Sequence, residues 1–244
     1  MSALYVLLKA PKGAFFAGDN MNKNISRRIL HLFYPNRCPV CGEIIDAQDM
    51  FCTDCPEKLT VCRGTFSIPD SDGFCASFEY NDAVTPAVML LKDGICGNAA
   101  FALGSSLAET VEKCGFADKT DIIIPVPMYR FDKLKRGYNQ SELIARVVSD
   151  KLGKPLCTNA VIKSRKTQMQ KNLTARERAV NLCGAFSVTD TSLVKGKSVL
   201  LVDDVCTTGS TLSEIVKLLK ACGASRVYCA GCCKTPEKNN NNEV

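Results

Sequence analysis

Residues 200–212 read LLVDDVCTTGSTL, an apolar run that ends in two adjacent carboxylates and continues into four hydroxyl residues around one glycine. Two carboxylates inside a sheet would be expensive without partners, so we expect Asp203 and Asp204 where a buried strand emerges at its open edge. Gly209 permits a tight turn, and the helix predicted after it offers backbone amides to an anion. Carboxylates for ribose hydroxyls followed by a phosphate cradle indicate a ribose 5-phosphate pocket.

The region after residue 72 alternates strand-like and helix-like segments. Helices are predicted around residues 82–114, over 139–153 and after residue 212, because apolar residues recur there at helical spacing. The remaining apolar runs predict buried strands at 74–80, 121–127, 197–205 and 224–233. Such alternation predicts an α/β fold with a parallel sheet flanked by helices, whose ligands lie beyond the carboxyl ends of the strands.

The composition of the 244-residue chain is that of a globular protein with a formal net charge of +6. This mild basic excess suits an anionic ligand or a nucleic acid, but it is also common among soluble proteins. No stretch reaches the length of about 18 apolar residues that a membrane span needs, and the N-terminus has no convincing export signal. We therefore expect a cytoplasmic protein whose fifteen cysteines are reduced, some of them holding metal.

Residues 38–55 read CPVCGEIIDAQDMFCTDC and contain two CxxC pairs. Each pair can direct two thiolates of one turn at the same ion, and two such turns complete a tetrahedral Zn²⁺ site that has no open position. The sequence therefore predicts a structural zinc bound by Cys38, Cys41, Cys52 and Cys55, with metal binding coupled to the folding of this small segment. The alternative is a set of two redox-active CxxC pairs.

Four parts of the chain are expected. An N-terminal extension at 1–24 precedes the clearly patterned region, which opens near Met21 and suggests a start codon assigned too early. A four-Cys zinc-binding segment follows at 25–62, and the main α/β domain spans 73–235. The polar tail at 236–244, rich in asparagine, is predicted to be disordered.

Three stretches together resemble a known family. LLVDDVCTTGSTL resembles the 5-phosphoribosyl 1-diphosphate (PRPP) loop of type I phosphoribosyltransferases. With IPVPMYRFDKLKRGYNQSELIA at 124–145, SRKTQMQKNLTARERAVNLCGAF at 164–186 and the four-Cys segment, the chain resembles the ComF family over residues 25–235. These phosphoribosyltransferase-like proteins are associated with DNA uptake during bacterial competence. The resemblance implies a type I phosphoribosyltransferase fold with a flexible hood, preceded by a small zinc-ribbon-like segment.

The resemblance also implies roles for individual residues. Asp203 and Asp204 would hold the ribose 2′- and 3′-hydroxyls, and Arg165 and Lys166 of the hood would stabilise charge during catalysis. Substrate-binding roles fall on two loops, one facing the diphosphate and one cradling the 5′-phosphate. Their members are Arg130, Arg136 and Gly137 in the first loop, joined by the weaker candidates Lys133 and Lys135, and Thr207, Thr208, Gly209, Ser210 and Thr211 in the second.

Several of these residues also have ordinary structural explanations. The loop after the PVP motif is alternatively a solvated basic turn, in which Asn139 and Gln140 cap the following helix. The segment 163–178 is alternatively an exposed basic strand or a nucleic-acid contact. Cys206, inside the phosphate loop, is interpreted as a small filler and not as a nucleophile.

Two functions follow. As an enzyme of nucleoside metabolism, the protein would bind PRPP with Mg²⁺, which prefers oxygen ligands, and a nitrogen base or amine would attack C1. Catalysis would come from positioning and from cations around the leaving diphosphate. The acceptor would be selected by parts that the sequence does not fix, with residues 82–114 and the region Cys229 to Lys234 as candidates.

The alternative is a catalytically inactive adaptor that keeps a PRPP or nucleotide pocket and contacts single-stranded DNA or a helicase during DNA uptake. Between residues 37 and 58 the zinc segment carries five acidic side chains against Arg37 and Lys58, which favours a protein contact or a folding role over DNA binding. The basic hood is then the better candidate for a nucleic-acid contact.

Overall fold

The structure, a computed structural model, describes residues 35–93, 98–166 and 184–236. Its strands alternate with its helices along most of the chain. The strands are β1 (Gly73–Glu79), β2 (Ile122–Pro125), β3 (Val161–Lys163), β4 (Phe186–Val188), β5 (Ser198–Cys206) and β6 (Arg226–Lys234). The helices are α1 (Thr85–Lys92), α2 (Ala99–Lys113), α3 (Arg130–Arg136), α4 (Gln140–Leu152) and α5 (Ser210–Ala221).

The main sheet has four strands in the order β1-β6-β5-β2, and every neighbouring pair is parallel. Strands β5 and β6 occupy the centre and are buried over most of their length, as expected where helices cover both faces of a parallel sheet. The predicted α/β fold is thereby confirmed. Because the strands run the same way, their carboxyl ends meet at one edge, which carries Asp203, Asp204 and the turn into α5.

Two hydrophobic layers enclose the sheet. Helices α1, α2 and α4 cover one face, where Leu103, Leu107 and Ile144 are fully buried. Helix α5 and the antiparallel pair β3–β4 cover the other face, with Ile215 and Leu219 in that core. Among the described residues, the α/β domain therefore has two packed cores, one on either side of the four-stranded sheet.

Residues 60–66 extend the sheet beyond β1, which is its edge strand. The amide of Cys62 donates to Ser77 O at 2.9 Å, and the amide of Phe66 donates to Phe74 O at 2.7 Å. In turn, the amide of Glu79 donates to a backbone carbonyl of this segment. The outer edge of β1 is therefore paired where these bonds form, and the segment joins the zinc-binding part of the chain to the α/β domain.

The zinc-binding segment also packs directly on the main domain. The ring of Phe51 meets that of Phe78 edge-on, with centroids 6.2 Å apart. The buried side chain of Asn98, just before α2, donates hydrogen bonds to Asp49 O at 3.0 Å and Met50 O at 3.1 Å. A buried amide that satisfies two carbonyls fixes the segment in one place relative to α2.

The loop after the PVP motif differs from its predicted form. Instead of a basic turn, Arg130–Arg136 forms helix α3, which ends at Gly137 with a left-handed φ of +93°. The stretch RFDKLKR contains good helix formers, and glycine is the residue best suited to this terminal conformation.

Three predictions fall outside the described residues: the extension at 1–24, the hood beyond Lys166 up to residue 183, and the tail from residue 237 onward. None of the helices in the described ranges combines the length and apolar character that a bilayer crossing requires.

Helix α2 approaches α4 closely at Gly104, and a substitution there tests the packing. A Cβ on this residue would lie 2.7 Å from Val147 Cβ and 3.2 Å from Ile144 O. We expect Gly104→Val to force the helices apart and to lower the free energy of unfolding by about 1–3 kcal/mol, as overpacked cores do. Urea denaturation measures the change. Glu112→Val, on the exposed side of α2, is the matched control, and equal loss in both variants would contradict the close approach.

Candidate functional site

Two adjacent carboxylates, called here the acid pair, lie near the carboxyl end of β5. Asp203 Oδ1 accepts hydrogen bonds from Ser141 Oγ at 2.9 Å and from the amide of Asp204 at 2.9 Å. Asp204 Oδ1 accepts from the amide of Val205 at 2.8 Å. One oxygen of each carboxylate is thus fixed by the protein, which orients the acid pair at the sheet edge.

The environment of Asp203 disfavours its charged form. Burial, together with the neighbouring charge of Asp204, raises the pKa of Asp203 to about 8, although the hydrogen bond from Ser141 acts in the opposite direction. Without a ligand, the carboxyl of Asp203 therefore holds a proton at neutral pH. A carboxyl with a raised pKa at a sheet edge is typical of a binding or catalytic site, because hydrogen-bond donors or cations of a ligand stabilise its charged form.

The phosphate loop, residues 207–211, follows the acid pair and leads into α5. Gly209 has a left-handed φ of +73°, and a Cβ there would contact Ile68 Cδ1. The backbone conformation therefore favours glycine at this position. Thr207 and Thr208 are exposed, and the hydroxyls of Thr208 and Ser210 are 2.8 Å apart. Hydroxyls at the start of a helix suit an anion, since the helix dipole favours negative charge there.

Cys206 lies between the acid pair and the phosphate loop, and it is 4% exposed. Burial, with a smaller contribution from the charge of Asp203, raises the pKa of its thiol to about 12. A neutral buried thiol is a poor nucleophile, which supports its interpretation as a small packing residue.

Helix α3 carries the candidate residues for the diphosphate. Arg130 is exposed, with its guanidinium 4.6 Å from the ring centroid of Phe131, and Arg136 lies at the end of the helix. Lys133 instead forms an ion pair with Glu142 of α4, with its ammonium 2.7 Å from the carboxylate. This ion pair ties α3 to α4, so we assign Lys133 to the scaffold.

The first turn of α4 connects α3 to the acid pair. Ser141 bonds Asp203, and the side chain of Asn139 donates to Val126 O at 2.9 Å. Asn139 occupies the N-cap position by its backbone, but its side chain makes no capping bond. Tyr138 Oη donates to Leu91 O. Three polar contacts from residues 138–141 therefore hold this segment against α1, the loop after β2 and β5, a role that the sequence alone did not indicate.

Lys163 at the end of β3 is a second residue that sequence reasoning did not assign to the site. Burial lowers the pKa of its ammonium, while the carboxylates of Asp132 and Asp203 act in the opposite direction. Its ammonium lies 5.6 Å from the ring centroid of Phe186. Arg165 and Lys166 follow it along the chain and are exposed.

The four predicted zinc ligands come together in the structure. The Sγ atoms of Cys38, Cys41, Cys52 and Cys55 all lie within 4.8 Å of one another, and those of Cys41 and Cys52 are 3.7 Å apart. A tetrahedral zinc with Zn–S bonds of about 2.3 Å requires sulfur separations of this size. Gly42 supplies the left-handed turn of the first knuckle with φ +81°. The cluster has the composition and spacing of a structural zinc site.

Comparison with protein families agrees with both parts of the chain. Residues 29–76 match the double zinc ribbon domain, and residues 138–243 match the phosphoribosyl transferase domain. DNA utilization protein YhgH of Escherichia coli strain K12 is 31% identical over 201 residues, which cover 81% of this chain and 84% of that protein. Competence protein F of Haemophilus influenzae is 42% identical over 112 residues, or 46% of this chain.

The chain belongs to the ComF family. Its alignment with Competence protein F spans 49% of that protein, whereas the alignment with YhgH spans most of both chains. Among solved structures, the glutamine PRPP amidotransferase of B. subtilis is 24% identical with a TM-score of 0.38, covering 55% of this chain and 26% of that one. This ComF-family chain joins a zinc ribbon to a phosphoribosyltransferase-like domain.

Zinc removal tests the four-Cys site. We expect Cys38→Ser to lower the bound zinc from about one equivalent per chain to a small fraction, and to lower the melting temperature, because the ribbon has little core of its own. Atomic absorption after gel filtration and thermal unfolding measure the two effects. Cys62→Ser is the matched control, since Cys62 lies outside the cluster. Full zinc retention by Cys38→Ser would rule the site out.

The raised pKa of Asp203 predicts a pH-dependent penalty on folding. In the unfolded chain this carboxyl has an ordinary pKa of about 4, so between that value and its folded pKa of about 8 the native state holds the extra proton. The free energy of unfolding then falls as pH rises through this range. We expect Asp203→Asn, which cannot ionise, to gain about 1 kcal/mol or more over the wild type between about pH 5 and pH 8.

Urea denaturation of the ligand-free protein at both pH values measures this difference. Asp118→Asn, at an exposed carboxyl in the loop after α2, provides the control. An Asp203→Asn variant that keeps a constant stability difference from the wild type at both pH values would show that Asp203 is already ionised.

Proposed function

We propose that this ComF-family chain binds PRPP together with Mg²⁺ at the carboxyl edge of β5 and transfers the phosphoribosyl group to a nitrogen nucleophile. The observation that carries the proposal is the acid pair, with the raised pKa of Asp203, followed five residues after Asp204 by the turn at Gly209 and then by the start of α5. This order suits the chemistry of a ribose 5-phosphate, with hydroxyls at the acid pair and a phosphoryl group at the helix start.

Ligand binding begins with the hydroxyls of the ribose. The 2′- and 3′-hydroxyls would donate hydrogen bonds to Asp203 and Asp204. These bonds would take the place of the proton that Asp203 holds in the free protein, and that proton would pass to solvent. The 5′-phosphate would accept hydrogen bonds from the backbone and hydroxyls of the phosphate loop. Because Ser141 and backbone amides already fix the acid pair, little rearrangement is required, and the ribose is held in one orientation.

The reaction itself requires stabilisation of the leaving diphosphate. Mg²⁺ prefers oxygen ligands, and when bound it would supply positive charge to the oxygens of the diphosphate. Arg130 and Arg136 of α3, with Arg165 and Lys166 after β3, would add protein cations on the same side. The C1–O bond breaks, its electron pair leaves with the diphosphate, and the acceptor nitrogen bonds to C1. No side-chain nucleophile is required, in keeping with the neutral thiol of Cys206.

The printed names of the relatives refer to competence and DNA utilization. We infer a cytoplasmic role in DNA uptake for this chain. One observation favours the adaptor as a second candidate function: α3 exposes Phe131, at 52%, among Arg130, Lys135 and Arg136. A basic surface with an exposed aromatic ring is suited to the backbone and bases of single-stranded DNA. In that case the PRPP pocket would regulate binding without turnover.

Titration calorimetry with PRPP and Mg²⁺ tests the pocket. We expect measurable binding to the wild type, and a loss of about 100-fold or more in affinity for the Asp203→Asn/Asp204→Asn double variant, because two charge-assisted hydrogen bonds are weakened. Asp118→Asn should bind as the wild type does. Absence of PRPP binding to the folded, zinc-loaded wild type would refute the proposal.

Turnover separates the two candidate functions. Diphosphate release from PRPP with nitrogen acceptors, lost in the double variant, identifies the transferase. Binding of PRPP without diphosphate release on any acceptor, combined with salt-sensitive binding of single-stranded DNA that Phe131→Ala weakens, identifies the adaptor.

A further inference from the structure

The linker loop, residues 67–72, lies just before β1 and contacts α5. Asp70 Oδ2 of this loop is 3.8 Å from Lys217 Nζ, and Asp72 Oδ2 accepts a hydrogen bond from Lys220 Nζ at 2.6 Å. Both lysines belong to the last two turns of α5. The linker loop is therefore tied to the far end of the helix whose first turn adjoins the phosphate loop.

At the near end of α5, the linker loop contacts the phosphate loop itself. Ile68 is 5% exposed, and it is the one residue of the linker loop that is buried. Its Cδ1 atom packs against Gly209, on the side where any other residue would carry its Cβ. Ile68 also belongs to the same apolar cluster as Leu212 in the first turn of α5. A single methyl group from the linker loop thus supports the turn that leads into this helix.

The backbone on either side of Ile68 is held in place. Before it, the amide of Phe66 donates to Phe74 O at 2.7 Å, and the amide of Phe74 donates to Phe66 O at 3.1 Å. After it, the amide and the hydroxyl of Ser71 both donate to Ile68 O, at 3.1 Å and 2.8 Å. Because its backbone is fixed in this way, Ile68 presents a fixed surface to the phosphate loop.

The phosphate loop has little packing of its own to hold its turn. Thr207 and Thr208 are exposed, whereas Gly209 is buried. A helix start binds a phosphate only while the backbone amides there converge on it. Because glycine has wide conformational freedom, its left-handed φ of +73° is kept only where neighbouring groups restrain it. Ile68 supplies such a restraint from outside the phosphate loop.

We propose that Ile68 is a positioning residue of the phosphate site, and that its δ-methyl group holds Gly209 in the conformation that receives a 5′-phosphate. The inference rests on the proposed PRPP function and deepens it, because it adds the linker loop to the site. Ile68 acts through Gly209, since an aliphatic side chain offers the phosphate no hydrogen bond. The chain between the zinc-binding segment and the α/β domain thereby contributes to the affinity for the ligand.

Removal of the one methyl group tests the inference. Ile68→Val lacks Cδ1 and keeps the branched Cβ, so we expect it to bind ribose 5-phosphate and PRPP about 10-fold more weakly than the wild type. Ile68→Leu keeps a terminal methyl at the same number of bonds from Cα, and its affinities should stay within about 3-fold of the wild type. Titration calorimetry measures both ligands without requiring turnover.

Ile122→Val is the matched control for a general loss of stability. Ile122 is 6% exposed and belongs to the same apolar cluster as Ile68, but it pairs with Val199 at the amino end of β5, away from the phosphate loop. We expect both valine variants to lower the melting temperature by a similar amount, about 2–4 °C. Only Ile68→Val should lose affinity for ribose 5-phosphate.

The outcomes separate this inference from the proposed function. If the folded wild type binds neither ribose 5-phosphate nor PRPP, the proposed function fails and the role of Ile68 fails with it. If the wild type binds both ligands and Ile68→Val binds them equally well, the phosphate site stands but Ile68 does not position it. Equal losses of affinity in Ile68→Val and Ile122→Val, or in Ile68→Val and Ile68→Leu, would also overturn the inference.

Discussion

The hydrogen bond from Ser141 to Asp203 is the contact on which the candidate site depends. It joins the first turn of α4 to the end of β5, two segments 62 residues apart in the chain. Burial and the charge of Asp204 disfavour the charged form of Asp203, while Ser141 and a backbone amide bond the same oxygen and favour it. A carboxyl placed at such cost in stability has a reason outside folding, since a buried apolar residue would be more stable.

Much of this arrangement was predictable because its signals are local. The spacing of the two CxxC pairs directly predicts a metal site. Gly209 after the acid pair marks a turn whose left-handed φ favours glycine. The parallel sheet follows from the alternation of apolar runs and amphipathic segments. Ser141 was not assigned to the site because a serine on a helix carries no sequence signal for a hydrogen bond to Asp203. Lys163 was not assigned because a lysine in a basic stretch carries no sequence signal that the charge of Asp203 acts on it.

For a single residue, a positive charge in the sequence did not predict whether that residue is available to a ligand. Lys133 was a weaker candidate beside Arg130 and Arg136 in the basic loop, and the structure shows it bound by Glu142 at 2.7 Å. Glu142 also holds Arg146 at 2.6 Å. Because of these contacts, the carboxyl of Glu142 has a lowered pKa despite its burial. In addition, the ion pair of Lys133 with Glu142 holds α3 against α4. Counting basic residues along the sequence therefore overstates the positive charge available to a ligand.

The pairing of residues 60–66 with β1 has a consequence for how the zinc segment is used. An unpaired edge of a parallel sheet offers its amides and carbonyls to any other extended chain. Here Cys62 and Phe66 occupy that edge, and the ribbon before them is anchored by Asn98 and Phe78. A protein shortened to the phosphoribosyltransferase-like domain would expose the unpaired edge of β1 and would be prone to self-association. The zinc-binding segment thus leads directly into the residues that cover this edge of the sheet.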